Sequence, residues 1–433
     1  MNVKLFRIVC LVSAIHTMNG EINNRINRMR GNLLQNLTRT HEYDDNIVTS
    51  QLDASIQVRQ FYRSFRDVYN SWFGGTGKRD NGNFLQKRVP DTVAFPCRTN
   101  GYRSTIIPKN VNRLRPGSDI DIVMAIGDSL TSATSANSAA LWEVLIENRG
   151  VSWCIGGQGN WRSHLTLPNI LKEFNPNLFG YSLQDAYNVH QSAQFNLAEN
   201  IATVTDMPYM AQKLIDRLRL DPRVNMTSHW KLLTFMIGGN DFCSDICYQT
   251  NATQWINESQ EKYLIKTLRY LRQHMPRTFV NLVPSPLVSL SFSMDQVNVP
   301  WTCYLSRPIE CSCLFGPAYS KERQLFRQRE REFVKIMERV SYLKEFHTDD
   351  FTVVYQPFFR DASVFVDDSK KPDMDIMSVD CIHLSQKGHA VAANGLWNNM
   401  LERNGRKSLK LSTLLKRFNC PSPSQPYLVT YFN

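Results

Sequence analysis

The chain has 433 residues, of which 42% are hydrophobic, 21% charged and 11% aromatic. That make-up belongs to a globular protein with a sizeable core, and it excludes a mostly disordered chain, a coiled coil, a collagen-like repeat and a small disulfide-stapled module. The 50 Lys and Arg against 39 Asp and Glu leave a formal net charge of +11, which ordinary solubility or attraction to an anionic lipid surface accounts for.

Nucleic acid is not an expected partner. The basic residues are scattered, and no zinc-finger spacing, RNA-binding aromatic motif or recognition-helix context accompanies them.

At the N-terminus, Lys4 and Arg7 precede a short apolar stretch. This is the shape of a secretory signal peptide over residues 1–20, too short to span a bilayer; a buried N-terminal helix is the alternative. Sequons at Asn36, Asn225, Asn251 and Asn257 agree with secretion. Of the 10 Cys, Cys10 leaves with the signal, and the odd remainder leaves at least one thiol unpaired in an oxidising compartment. Their spacing matches no zinc site and does not fix a connectivity. With no run of about 18 apolar residues and nothing like an anchor after the last helical pattern, the expectation is an extracellular protein.

Residues 21–94 read as a polar extension, partly helical, with an amphipathic stretch around 56–69. The glycines at 74–77 lack the preceding strand and the following Lys-Ser/Thr of a phosphate loop. From about 118 the texture changes. Short apolar runs at 120–126, 151–155, 232–237, 278–283 and 351–355 each end in glycine, proline or polar residues. Helix-compatible stretches lie between them, at 129–148, 207–218, 259–274, 320–346 and 385–400. Such alternation predicts an α/β fold with a central parallel sheet and helices on both faces, its working groups at the C-terminal strand ends. The catalytic-type domain is expected over 95–405, and 406–433 as a C-terminal tail.

Four short segments at those ends carry residues that could do chemistry. In Gly127-Asp128-Ser129-Leu130 the serine follows a strand and opens a helix, where unpaired N–H groups favour an oxyanion; a plain helix cap is the alternative. Asp380 and His383 stand three apart, so the carboxylate can orient the imidazole that activates a serine hydroxyl. Gly157 offers a backbone N–H and Asn240 a side-chain amide for a tetrahedral oxyanion, although Gly-Gly and Asn-Asp are also ordinary turn formers. His389 is a second candidate base without an acidic neighbour. Asp128 and Asp241 read as caps or as partners that bond and orient neighbouring groups, and His190, His229, His274 and His347 share no metal-ligand spacing. Trp153, Trp161 and Trp301 fit a core or a lipid-facing groove.

In order, Gly-Asp-Ser-Leu, Ile155-Gly156-Gly157, Gly238-Gly239-Asn240-Asp241 and Asp380-x-x-His383 resemble the four blocks of the GDSL/SGNH hydrolase superfamily. Further stretches resemble its animal phospholipase B family: Phe95-Pro96-Cys97, Asn112-Arg113-Leu114-Arg115-Pro116, Thr131 after the first block, Thr166-Leu167-Pro168-Asn169-Ile170-Leu171, Asn196-Leu197-Ala198 and Leu384-Ser385. The resemblance runs from about 95 to about 405. It implies a flavodoxin-like three-layer α/β/α sandwich, hydrolysis of acyl esters of phospholipids and lysophospholipids, and no metal or cofactor. It also implies Ser129 as nucleophile, His383 as base, Asp380 as its orienting acid, and an oxyanion hole of the Ser129 amide, the Gly157 amide and the Asn240 side chain. Peripheral contact with a lipid surface would accompany such a substrate. One departure is Ser132-Ala133-Thr134-Ser135-Ala136-Asn137, where the family usually has a glycine-containing stretch; it bears on the acyl pocket. An esterase on other acyl or acetyl groups, or a non-catalytic lipid-binding protein on the same scaffold, remain as alternatives.

Overall fold

The structure, a computed structural model, describes residues 65–66, 68–69, 71–74, 82–99, 104–287, 299–361 and 373–433. The expected signal peptide over residues 1–20, most of the extension, the glycines at 75–77 and Asn36 lie outside the described residues.

Four strands, β1 (Ile122–Gly127), β2 (Lys231–Ile237), β3 (Thr278–Pro284) and β4 (Phe351–Tyr355), are buried along their whole length. They pair in parallel in the order β1-β2-β3-β4, with Ile122 opposite Lys231, Lys231 opposite Thr278 and Thr278 opposite Phe351. A strand covered on both faces has no polar face to display, so its sequence is a nearly unbroken apolar run.

The side chains alternate between two cores. Val123, Ala125, Leu232, Met236, Phe279, Val283 and Val354 pack with Leu167, Ile170 and Leu171 of α2 (Leu167–Lys172) and Ala393, Leu396 and Trp397 of α8 (Gln386–Leu401). Ile122, Met124, Ile126, Leu233, Phe235, Val280, Leu282 and Val353 pack on the other side. There they meet Leu214 and Leu218 of α3 (Met207–Leu220), Leu264, Leu268 and Leu271 of α4 (Glu261–His274), and Phe333 and Met337 of α7 (Arg323–Ser341). The result is the expected α/β/α sandwich, with the helices expected at 207–218, 259–274, 320–346 and 385–400 in place.

Two local expectations fail for the same reason. Residues 129–148 carry only a four-residue α-helix, α1 (Ser129–Ser132), and a 3-10 turn at Leu141–Glu143, because Ala133 and Ser135 take left-handed conformations with φ of 58° and 63°. Hydrogen bonds from Ser132 and Thr134 to buried Asn200, and from the Ser135 amide to the Ile146 carbonyl, hold that path. Residues 151–155 form no strand. Their amides turn back locally, Ser152 to the Arg149 carbonyl and Gly156 to the Ser152 carbonyl, and the Trp153 amide donates to His389 Nδ1 at 3.2 Å. The run is apolar because it is a buried loop.

The free edge of β1 is covered by irregular chain that makes single parallel bridges, Ile122 to Phe179 and Ala125 to Asn196. Arg149, fully buried, fastens this cover: it donates to Glu147 Oε2 at 2.6 and 2.9 Å and to the carbonyls of Ala186, Asn196 and Ala198. Arg66, from the extension, also reaches the domain, 3.0 Å from Glu199 and 3.7 Å from Glu147.

Residues 406–433 are joined to the sandwich rather than hanging from it. Cys420 is bonded to Cys97, Trp397 Nε1 donates to the Asn419 carbonyl at 2.7 Å, and the Leu428 amide to the Leu114 carbonyl. Buried Lys407 donates to Gln356 Oε1, which in turn sits on Asn281 of β3.

Removing one member of a buried ion pair strands the other charge, at a cost of roughly 3–5 kcal/mol. Arg149→Leu is therefore expected to lower the stability of the chain by about that amount in urea unfolding. An unchanged unfolding midpoint would show that the cover on β1 does not depend on it.

Candidate active site

Ser129 lies one turn beyond the C-terminal end of β1. The chain reverses there through Gly127, whose φ is +154° and whose Cβ, if present, would stand 2.3 Å from the Met236 carbonyl of β2. Only glycine fits so close a backbone approach. Asp128 caps α1, Oδ1 accepting from the Leu130 amide at 3.0 Å, while burial pushes its carboxyl up to about 6. It is a cap, as its position suggested, whereas Asp241 makes a tertiary bond instead, accepting from the Val204 amide 37 residues away.

The Asp380–His383 turn closes on the same region. Ser378 and Ser135 hydroxyls are 2.7 Å apart, and Ser378 Oγ donates to the Ser135 carbonyl at 2.6 Å. The Gln386 amide donates to the Ala136 carbonyl at 2.8 Å. These bonds tie the turn to the loop that follows Ser129. On its other side, Cys381 is bonded to Cys303 of α5 (Trp301–Glu310), and Ser306 Oγ of α5 donates to the Asp380 carbonyl at 2.6 Å.

Within the turn, His383 Nδ1 lies 2.7 Å from Asp380 Oδ2, and Oδ1 accepts the amides of Ile382 and His383 at 3.0 and 2.9 Å. A carboxylate can only accept, so Nδ1 carries the proton and Nε2 is the free end of the ring. Burial alone would raise Asp380, but the His383 charge and these three hydrogen bonds hold it below its ordinary value. For His383, burial opposes protonation and is outweighed by Asp380, with Glu310 and Asp128 adding to it, so the imidazole is raised to about 9. The mutual influence of Asp128 and His383 reflects how near the serine's own turn comes to the ring.

Among the described residues the Ser129 hydroxyl makes no hydrogen bond, so it is not locked to His383 at rest. Catalytic contacts of this kind commonly tighten only when substrate is bound.

The oxyanion candidates divide. Asn240 Nδ2 donates one proton to the Ala202 carbonyl at 3.0 Å, which orients the amide and leaves its second proton free. Gly157 does not meet its expected part. Its N–H is taken by the Ser182 carbonyl at 2.7 Å, and its missing Cβ makes room for the Tyr181 ring, which would otherwise be 2.0 Å away. His389 is buried with Nδ1 accepting from the Trp153 amide, and burial drops it to about 3, so it is a neutral packing residue.

Three features have no counterpart in the sequence reading. Glu310, the last residue of α5, places Oε2 3.6 Å from His383 Nδ1. Burial, with Asp380 adding and His383 opposing, pushes it up to about 7. Ser285, at the end of β3, buries a hydroxyl without a hydrogen-bond partner among the described residues. A Cβ on Gly239 would be 2.9 Å from that hydroxyl and 3.6 Å from Asp128 Oδ2, so this glycine lets three strand ends meet. Disulfides Cys243–Cys311 and Cys247–Cys313 fasten the segment after Asn240 to the end of α5 and to α6 (Ser312–Phe315), leaving buried Cys154 as the free thiol among the described residues. The signal for Glu310 was only its place beside Cys311.

Glu310, Asp380 and His383 each put one ligand-type atom within 4.8 Å of the others. With Nδ1 donating to Asp380, however, that nitrogen has no lone pair for an ion. Of the long-range tryptophans, Trp153 and Trp161 are buried and Trp301 is 70% exposed. No helix among the described residues is long and apolar enough to cross a membrane.

A GDSL-like lipase/acylhydrolase family model matches residues 123–396. The chain is 36% identical over 342 residues to "Phospholipase B1, membrane-associated" of Rattus norvegicus and to that of Homo sapiens, and 34% identical over 345 residues to that of Mus musculus. These alignments take in 78% of this chain but only 22–23% of each relative, so the chain spans about a quarter of their length. Among solved structures, an extracellular lipase from Streptomyces rimosus is similar at 12% identity and a TM-score of 0.32, covering 62% of this chain and 94% of the other. A phospholipase A1 from Streptomyces albidoflavus is similar at 14% identity and 0.31, with the same coverage. With the match extending from the second residue of β1 to the middle of α8, the chain belongs to the GDSL-like lipase/acylhydrolase family.

Proposed function

We propose that the protein is a secreted serine ester hydrolase that cleaves fatty-acyl esters of phospholipids and lysophospholipids through an acyl-enzyme on Ser129. The observation that carries the reading is the pairing of half-buried His383 with buried Asp380, 2.7 Å apart, tied by Ser135 and Ser378 to the loop that bears the serine. The resemblance to phospholipases B supports the substrate class. Four disulfides and the exposed sequons at Asn225, Asn251 and Asn257 support an oxidising, glycosylating route.

In the first half-reaction Ser129 Oγ attacks the ester carbonyl as His383 Nε2 takes its proton, and Asp380 stabilises the resulting imidazolium through Nδ1. The tetrahedral oxyanion is met by the Ser129 amide, which has no intrahelical acceptor, and by the free proton of Asn240. His383 then returns the proton to the departing alkoxide. Water repeats the sequence on the acyl-enzyme and releases the fatty acid. Glu310 adds negative charge beside Nδ1 and so favours the protonated ring.

Ser129→Ala is expected to keep the parent's thermal midpoint while fatty-acid release falls by roughly 10⁴-fold or more. Comparable release by a folded variant would remove Ser129 from the chemistry.

A second expectation concerns pH. Only neutral imidazole accepts the serine proton, so kcat/KM of the parent should climb with pH through the His383 ionisation near 9. Glu310 is ionised in that window, since its own value is about 7. Glu310→Gln removes the charge and should move the rising limb to lower pH. A limb that stays put would show that Glu310 does not act on the ring.

A further inference from the structure

Helix α5 has two unlike faces. Positions 303, 306, 307 and 310, spaced three or four apart, point inward. Cys303 is bonded to Cys381, Ser306 donates to the Asp380 carbonyl, Arg307 lies over the Phe315 ring at 5.4 Å, and Glu310 approaches His383. Positions 301, 304, 305 and 309 follow the same helical spacing on the outside. They are Trp301, Tyr304, Leu305 and Ile309, exposed by 70%, 67%, 52% and 76%.

Four large apolar or amphipathic side chains on one ten-residue helix form a contiguous patch, which a protein meant only for water avoids. Isolated exposed hydrophobics are ordinary; a stripe at helical period is not. An internal role is already filled, because the inward face of α5 supplies the helix's packing. Tryptophan and tyrosine beside leucine and isoleucine are the composition of a helix that lies in the headgroup region of a lipid surface.

We propose that the outer face of α5 is the surface by which the protein seats itself on a phospholipid bilayer, with Trp301, Tyr304, Leu305 and Ile309 inserted at the interface. The inference rests on the phospholipid reading of Ser129 and specifies where that substrate is approached. Continuity with the site is the main argument. The face that meets lipid and the face that holds the Asp380–His383 turn belong to one helix, linked to the turn by a disulfide and a 2.6 Å hydrogen bond. Seating α5 on the bilayer therefore brings the Ser129 region to the source of its acyl chains. The formal net charge of +11 adds attraction when the surface is anionic.

The test uses the full chain carrying Ser129→Ala, so that binding is read without hydrolysis, and vesicles of phosphatidylcholine and phosphatidylserine. Sedimentation with vesicles is expected for this protein, and the added pair Leu305→Glu and Ile309→Glu should weaken partitioning by about tenfold or more. In the active parent background the pair should slow fatty-acid release from the same vesicles by a similar factor. Its rate on a soluble short-chain aryl ester should stay unchanged, which also shows that the variant is folded.

Partitioning that the pair does not alter, or absence of partitioning in the Ser129→Ala protein, would overturn the proposal. So would a parent that self-associates through this face, seen as a dimer in sedimentation that the pair converts to monomer. If vesicle binding depends on α5 but the parent hydrolyses only the soluble ester, the surface assignment stands and the phospholipid reading falls.

Discussion

A carboxylate fully withdrawn from water sets the terms for the rest of the site. Asp380 accepts two backbone amides and the His383 Nδ1 proton, and without them its charge would be untenable in a low-dielectric interior. Holding those three donors around one side chain forces a tight turn, and Cys381 within it takes a left-handed φ of 60°. For a residue with a side chain this costs on the order of 1–3 kcal/mol, and it persists because the turn is gripped from two directions. The Cys303 bond and Ser306 hold it from α5; the Ser135–Ser378 pair holds it from the Ser129 loop.

The sheet supplies what the turn cannot, a fixed place for the serine. Parallel pairing brings the ends of β1, β2 and β3 to one level, and there a Cβ on Gly127 would press on the Met236 carbonyl and one on Gly239 on the Ser285 hydroxyl. Rigidity thus comes from the sandwich, while the Ser129 hydroxyl makes no hydrogen bond among the described residues. α5 is the shared element: it holds the Asp380–His383 turn with one face and offers an apolar surface with the other.

Much of this was legible in the sequence, for physical reasons that also mark where legibility ends. Strands buried on both faces announce themselves as apolar runs closed by glycine or proline, and β1 to β4 are all of that kind. The run at 151–155 carries the same signature without being a strand, because a buried loop such as the one around Trp153 must be apolar too. The stretch after Ser129 has helical propensity, yet the chain leaves the helix at Ala133 and Ser135, where Ser132 and Thr134 bond to distant Asn200 and the Ser135 amide to the Ile146 carbonyl. Ser129, Asn240, Asp380 and His383 stand out in the sequence through their blocks. Gly157 was assigned from its block as well, but what decides its role is the carbonyl of Ser182, which no local pattern announces. Glu310 and the cysteine pairing were hidden for the same reason: each exists only through space.

The central claim is that Ser129, His383 and Asn240 act on one reacting carbon, and the most direct measurement is a crystal structure of the chain after reaction with a fluorophosphonate. The account predicts a phosphonyl group on Ser129 Oγ, one of its oxygens against Asn240 Nδ2, and His383 Nε2 within hydrogen-bond reach of the adduct. An unmodified Ser129, or an adduct facing away from His383, would contradict it.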